Sequence, residues 1–280
     1  LARILRDGSG CDLLFVVHHA VMDGGALMQI YHDLAQWLES PPADVKPLLW
    51  QHPHRVTFRG QGCWKSLIAM RKHLRWRRLT RNRPKVRMTH VFPVRQDYAV
   101  MVWDAAETRR LAERAKQEQT TVTGALIAAV TQFLAEAAGE LQHRQIVQVP
   151  FSLRPWFEPP VDDHQVGVYV SVMTIQVDAA GATPFWEVAR GAKDAIQANL
   201  SRNDPVFFWK LIHWFRPLMA RIASRLSEKS DVHASVNNLG RLPAAVTASG
   251  QSRLTEVNWV TNNRKSPPVV AIYAATVEGR

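Results

Sequence analysis

The chain has 280 residues, 46% of them hydrophobic, and can therefore bury a large core as one or two domains. Its two cysteines, Cys11 and Cys63, imply neither a disulfide framework nor a cysteine metal cage and suit a reducing compartment. No signal peptide is recognisable and no apolar run approaches the ~20 residues of a membrane span. A formal charge of +11 points instead to anionic partners: a phosphate-bearing cosubstrate, an acidic carrier protein, a membrane surface or nucleic acid.

Taken in order, Leu1 to Asp12 fits the end of one strand and a turn at Gly8-Ser9-Gly10. Leu13 to Val17 is a short apolar run bounded by polar residues, which predicts a buried strand. His18-His19-Ala20-Val21-Met22-Asp23-Gly24-Gly25 comes next. From Ala26 a helical pattern begins, with Leu27, Ile30, Leu34 and Leu38 on one apolar face, and it stops near Ser40-Pro41-Pro42 because paired prolines cannot continue it. Two histidines and a carboxylate thus sit where a strand turns into a helix, a common place for chemistry.

These residue types suit proton transfer. Histidine, with an ordinary pKa of about 6.5, can take a proton at neutral pH and return it. A fixed carboxylate can shape a loop by pairing with a basic residue, and glycine lets a backbone approach a substrate closely. The same residues also suit ordinary polar positions at a strand end, with Asp23-Gly24 a turn. A metal site would need more ligands than His-x3-Asp supplies, and no Cys or His cluster offers them.

Pro47 to Gly62 has no regular pattern; His52 and His54 flank Pro53 there, and scattered loop histidines are usually solvated. Cys63 to Leu79 is compatible with a helix. Arg71, Lys72, Arg75, Arg77, Arg78, Arg81, Arg83, Lys85 and Arg87 crowd its second half and the residues just beyond it, with Trp64, Leu67, Ile68, Leu74 and Trp76 interleaved. Such interleaving raises a nucleic-acid or membrane-surface reading. A surface connector with solvated arginines fits better, because no nucleic-acid fold signature accompanies the charge; nucleic acid is therefore not the expected partner. An acidic carrier protein or the phosphates of coenzyme A remain open as partners.

A second domain is expected from about Gln96. Asp97 to Asp104 predicts a strand and Ala105 to Gln117 a helix. Thr120 to Thr123 offers caps for a strongly apolar helix running to about Ala138. Gln145 to Phe151 is a further strand. Gln165 to Val177, rich in β-branched residues, predicts a central strand apolar on both faces. Ala182 to Leu200 is a helix. Phe207 to Leu226 is another, broken or kinked at Pro217, whose aromatic density suits core packing or an acyl-chain contact. Strands are expected near Val232 to Asn238, Leu254 to Asn262 and Val269 to Val277.

His18-His19-x3-Asp23-Gly24 resembles the HHxxxDG signature of the chloramphenicol-acetyltransferase-like superfamily. That group includes condensation domains of peptide synthetases, alcohol and polyketide-associated acyltransferases, and wax ester and diacylglycerol synthases. Three later elements keep the family's order: Val149-Pro150-Phe151-Ser152-Leu153-Arg154-Pro155, then Val166-Gly167-x-Tyr169-Val170-Ser171, then Ser235-Val236-Asn237-Asn238-Leu239-Gly240-Arg241. The last looks most like the alcohol acetyltransferase and condensation branches.

The resemblance implies a two-domain α/β sandwich. Residues 1–95 would be the end of an incomplete N-terminal subdomain carrying the motif loop, and residues 96–280 a C-terminal subdomain missing its end. Relatives are longer on both sides, so the chain is expected to be truncated, and poorly soluble or inactive when expressed alone. The implied reaction moves an acyl group from a thioester, on coenzyme A or a carrier phosphopantetheine, to a hydroxyl or amine. No permanently bound cofactor and no acyl-enzyme are implied.

His19 would be the general base, with His18 supporting it. Asp23 would be structural, paired with an arginine for which Arg154 is the choice, and Gly24 would set loop geometry. Arg154, Asn237 and Asn238 are the candidate substrate contacts, the asparagines near the oxyanion. The expected setting is the cytoplasm, with a membrane surface as a peripheral partner. Some members of the superfamily keep the fold but act as docking modules, which leaves that reading open beside the enzymatic one.

Overall fold

A computed structural model of the chain describes residues 2–6, 11–19, 21–40, 57–58, 68, 71, 97–137, 144–179, 183–214, 232–242, 270–277 and 279. The fold is mixed α/β in two lobes. In the first, β1 (Ala2–Arg6) pairs antiparallel with β2 (Cys11–Phe15) in the register Ala2 to Phe15. Helix α1 (Gly24–Glu39) follows the histidine loop, and Phe15 holds it edge-on through Tyr31, ring centroids 5.2 Å apart.

The strand expected over Leu13 to Val17 is shifted and is not buried. It ends at Phe15, and Leu14, Val16 and Val17 are exposed, Val16 to 54%. A two-stranded hairpin covers too little surface to bury both faces of its strands, so an apolar run there does not guarantee burial.

In the second lobe, α2 (Ala105–Gln117) begins at a capping box. The Glu107 N–H donates to Asp104 Oδ1 at 2.7 Å, and the Asp104 N–H donates to Glu107 Oε2 at 3.0 Å. The segment before it, expected as a strand over Asp97 to Asp104, has no ladder among the described residues, and Tyr98, Val100, Met101 and Val102 are exposed. Strand propensity is realised only where a partner supplies the ladder.

Helix α3 (Val122–Ala137), strand β4 (Arg144–Ser152), strand β6 (Val170–Asp178) and helix α4 (Phe185–Ser201) build the main core. Short strands β3 (Thr57–Phe58) and β5 (Phe157–Glu158) pair separately. Helix α5 (Asp204–Trp214), β7 (Ala234–Arg241) and β8 (Val270–Thr276) complete the elements.

The four-stranded sheet has the order β6-β4-β7-β8, with β4 antiparallel to β6 and parallel to β7, and β7 parallel to β8. Ile127, Leu134, Val147, Ile175, Val188 and Val236 fill the space between this sheet and the pair α3 and α4. The expectation that β6 is central, and apolar on both faces, is corrected. It lies at the edge of the described sheet, its burial alternates, and Val172 is 39% exposed. It also starts at Val170, because residues 165–169 turn away to meet the first lobe.

A second, smaller core joins Leu153, Phe157, Val161, Tyr169, Val206 and Trp209. Phe157 contacts both Tyr169 and Trp209 edge-on, at 5.8 and 5.2 Å. The aromatic residues of α5 whose burial is described, Phe207 and Trp209, are therefore core packing. His52, His54, most of the basic segment from Arg71 to Arg87, Pro217, the strand expected near Leu254 to Asn262 and the domain boundary near Gln96 lie outside the described residues.

Candidate active site

The histidine loop is short because two hydrogen bonds close it. The Val21 N–H donates to the His18 carbonyl at 2.9 Å, and His19 Nδ1 lies 3.0 Å from the Met22 carbonyl. A carbonyl oxygen can only accept, so the hydrogen of this bond sits on Nδ1. In the neutral ring this bond selects the tautomer whose lone pair is on Nε2, and the residue is exposed. His18 is exposed as well.

Asp23 is the anchor of the loop. It caps α1, its Oδ1 accepting from the Ala26 N–H at 2.9 Å. Its own N–H donates to the Gly167 carbonyl at 3.0 Å, and its Oδ2 accepts from the Tyr169 N–H at 2.8 Å. Arg154 Nη2 stands 3.5 Å from Asp23 Oδ1, with both side chains 7% exposed.

The guanidinium is held from the other side by carbonyls. Nη1 donates to the Asp162 carbonyl at 2.8 Å and Nη2 to the Gln165 carbonyl at 3.0 Å, and its carbon lies 4.7 Å over the Tyr169 ring centroid. A buried charge needs such a set of partners, since desolvation alone would expel it. Arg154 was expected both as the partner of Asp23 and as a substrate contact. Its surroundings are those of a clamp, with the guanidinium buried among protein groups.

Tyr169 is fully buried beneath this charge. Burial pushes its phenol above the ordinary value of 10.0; the nearby Arg154 charge pulls it down and the Asp23 charge pushes it up. Gly167 has no room for a side chain, because a Cβ there would lie 2.6 Å from Tyr169 Cε2.

Gly24 opens α1 and is not among the residues with a left-handed backbone. A Cβ on it would meet Leu239 Cδ2 at an ordinary 3.6 Å, so its expected loop-setting role has no conformational basis. That approach does bring β7 alongside the start of α1.

The two asparagines of β7 are half-buried and bonded within the lobe. Asn237 Nδ2 donates to Ser235 Oγ at 3.1 Å and to the Ile272 carbonyl at 3.4 Å. Asn238 Nδ2 donates to Thr123 Oγ1 at 3.1 Å, and its Oδ1 accepts from the Gly240 N–H at 2.9 Å. Sequence reasoning missed the bearing of Asp162, Gln165, Gly167 and Tyr169 on the loop. Only the Gly167-x-Tyr169 pattern carried a signal; Asp162, Gln165 and Gly167 reach Arg154 and Asp23 through their carbonyls, which every residue type has.

The family model for the phthiocerol/phthiodiolone dimycocerosyl transferase C-terminus matches residues 93–280. The chain belongs to this family. The match begins downstream of His19 and covers the lobe that carries Arg154, Tyr169 and the asparagines. A search of curated proteins finds no match.

Among solved structures, the condensation domain from the Monacolin K polyketide synthase MokA is similar, with a TM-score of 0.61 and 14% identity over 98% of this chain and 63% of that one. The epimerization domain from the third module of tyrocidine synthetase B gives 0.61 and 14% over 99% and 64%. The first condensation domain of the CDA synthetase gives 0.56 and 18% over 85% and 52%. At such identities the likeness is one of fold, the fold of the condensation-domain and acyltransferase superfamily. The chain spans about half to two thirds of these domains' own lengths.

Proposed function

We propose that this dimycocerosyl-transferase-family chain carries the site for acyl transfer from a thioester to a hydroxyl or amine, with residues 1–95 and 96–280 contributing to its two sides. His19 Nε2 accepts the proton of the acceptor as its oxygen or nitrogen attacks the thioester carbonyl. A C–O or C–N bond forms, the C–S bond breaks, and the protonated imidazole returns its proton to the departing thiolate. His18 supports the loop. The observation that supports this reading is the bond between His19 Nδ1 and the Met22 carbonyl, which in the neutral ring leaves the lone pair on Nε2.

The donor is a coenzyme A or carrier-protein phosphopantetheine thioester. Of the two, the carrier-bound donor of a condensation-type reaction has more support, because the similar folds are mostly condensation-type domains. The family match supports the transferase class. Asn237 and Asn238 are proposed near the oxyanion, where donors stabilise developing charge; Asn237 would serve only by giving up its bond to Ser235 or to the Ile272 carbonyl.

The test assays thiol release in the longest reading frame that contains this chain. Acyl-coenzyme A and acyl-carrier donors are crossed with hydroxyl and amine acceptors. Release that depends on both acceptor and His19 supports the proposal. Release that survives His19→Ala unchanged, or no release in any arm, refutes it.

A further inference from the structure

Two turns into α1, four polar side chains converge. Gln29 Nε2 lies 2.8 Å from Asp33 Oδ1, 3.0 Å from His164 Nδ1 and 3.2 Å from His32 Nδ1. Asp33 Oδ1 in turn lies 3.2 Å from His32 Nδ1 and 3.5 Å from His164 Nδ1. Among the described residues no group of His, Cys, Asp and Glu is arranged to hold a metal ion, so the set is explained by hydrogen bonds.

A proton count orders it. An amide nitrogen has two hydrogens and a carboxylate only accepts. The shortest contacts are satisfied if Gln29 donates to Asp33 and to His164, while His32 donates from Nδ1 to Asp33. His164 is then an acceptor at Nδ1.

The location gives the cluster its meaning. The His164 N–H donates to Asp162 Oδ1, and the same turn offers the Asp162 and Gln165 carbonyls to Arg154 and the Gly167 carbonyl to Asp23. Residues 162–169 therefore grip α1 at two points, at Asp23 and again at Gln29, whose amide Asp33 also holds. At ~1.5 Å per residue, the second grip lies about 9 Å along the helix. One anchor lets a helix pivot about its end; two anchors fix its direction and with it the loop that the helix begins.

We propose that His164 is a positioning residue, latching α1 through Gln29, whose amide Asp33 orients, so that the His19 loop keeps the geometry in which Nε2 meets the acceptor. The assignment of a reaction to His19 rests on the function proposed above; the latch itself does not. His164 is 53% exposed at its side chain, so its replacement does not empty a core.

The test uses the longest reading frame and three variants. His164→Ala removes the acceptor; His164→Asn places an amide where Nδ1 was; His164→Gln places one where Nε2 was. Hydrogen exchange at the Ala26 and Tyr169 amides, both of which donate to Asp23, reads the loop without any substrate. Thiol release reads its consequence. Faster exchange in His164→Ala and His164→Gln, restored in His164→Asn, establishes the latch. A fall in kcat of up to about 100-fold with KM unchanged, rescued by the same variant, ties it to His19. Unchanged exchange in His164→Ala, or rescue by Gln and not by Asn, overturns the proposal. If no variant and no wild type releases thiol, the proposed reaction fails while the exchange data still decide the latch.

Discussion

Asp23 and Arg154, 131 positions apart, meet as a buried carboxylate and guanidinium 3.5 Å apart. That is the long end of a hydrogen bond, whereas the bonds Asp23 receives from the Ala26 and Tyr169 amides are 2.9 and 2.8 Å. The carboxylate is thus seated by backbone, and the arginine faces it with its guanidinium carbon 4.7 Å from the Tyr169 ring centroid. Loss of either partner leaves a buried charge and should cost about 3–5 kcal/mol of unfolding free energy. Arg154→Lys should recover little, since a point charge cannot reach two carbonyls and the carboxylate together or stack on a ring. Denaturant unfolding of the two single variants and the double variant checks this; strict additivity would show that the two charges do not couple.

Proton transfer is expected to reside in one of the two adjacent histidines. His19→Ala should lower thiol release about 100- to 10,000-fold, and His18→Ala should leave most of it. Steady-state rates of the two variants, with circular dichroism to verify the fold, decide the matter. The reverse ranking would move the base to His18.

The helix that begins at the motif, its polar start and the later Gly-x-Tyr pattern could all be read from the sequence because each is a local arrangement of residue types. Helix α2 was legible for the same reason, with Leu111 and Ala115 on its inner face, and its range is the one expected, Ala105–Gln117. Burial was not. Val16 and Val17 have the composition of a core strand and lie exposed, because whether a strand is covered depends on what packs on it from elsewhere. Tyr98 to Trp103 failed for the same reason. The clamp was half legible: Arg154 could be named as the partner of Asp23 by residue chemistry, but the carbonyls of Asp162, Gln165 and Gly167 belong to any sequence.

Two glycines should respond to alanine in opposite directions. At Gly167 the new methyl would press on Tyr169 and tilt it out from under Arg154, an overpacking that costs about 1–3 kcal/mol. At Gly191, inside α4, nothing lies within 4 Å of the added carbon, so alanine should stabilise by about 0.4–1 kcal/mol through the unfolded chain. Thermal unfolding of both variants reads the signs; a stabilised Gly167→Ala would contradict the contact.

Alkaline pH should loosen the clamp through Tyr169. Its phenol is raised in the folded chain, so its contribution is full below the ordinary value of 10.0 and is lost as pH rises toward the folded value, because the unfolded chain ionises first. Tyr31 is also raised, chiefly by burial, and serves as the comparison. Unfolding free energy should fall less steeply from about pH 9 to 11 in Tyr169→Phe than in wild type. An unaltered slope would assign the loss elsewhere.

The separation in chain between the parts of the clamp also has a kinetic side. Arg144 and Asp178, at the ends of the β4–β6 pairing, close a span of 34 positions, whereas the Asp23 to Tyr169 bond closes one of 146. Two doublings of loop length cost only about 1 kcal/mol of closure entropy, but contacts of such range are made late on the way to the native state. In refolding, the ellipticity of the sheet and helices should recover before protection of the Ala26 and Tyr169 amides, an order that pulsed hydrogen exchange can time. Simultaneous recovery would mean that the two lobes fold as one event. On that order, a folding chain holds both histidines before Asp23 is seated, and the loop between them and the helix is the last part of the fold to take its shape.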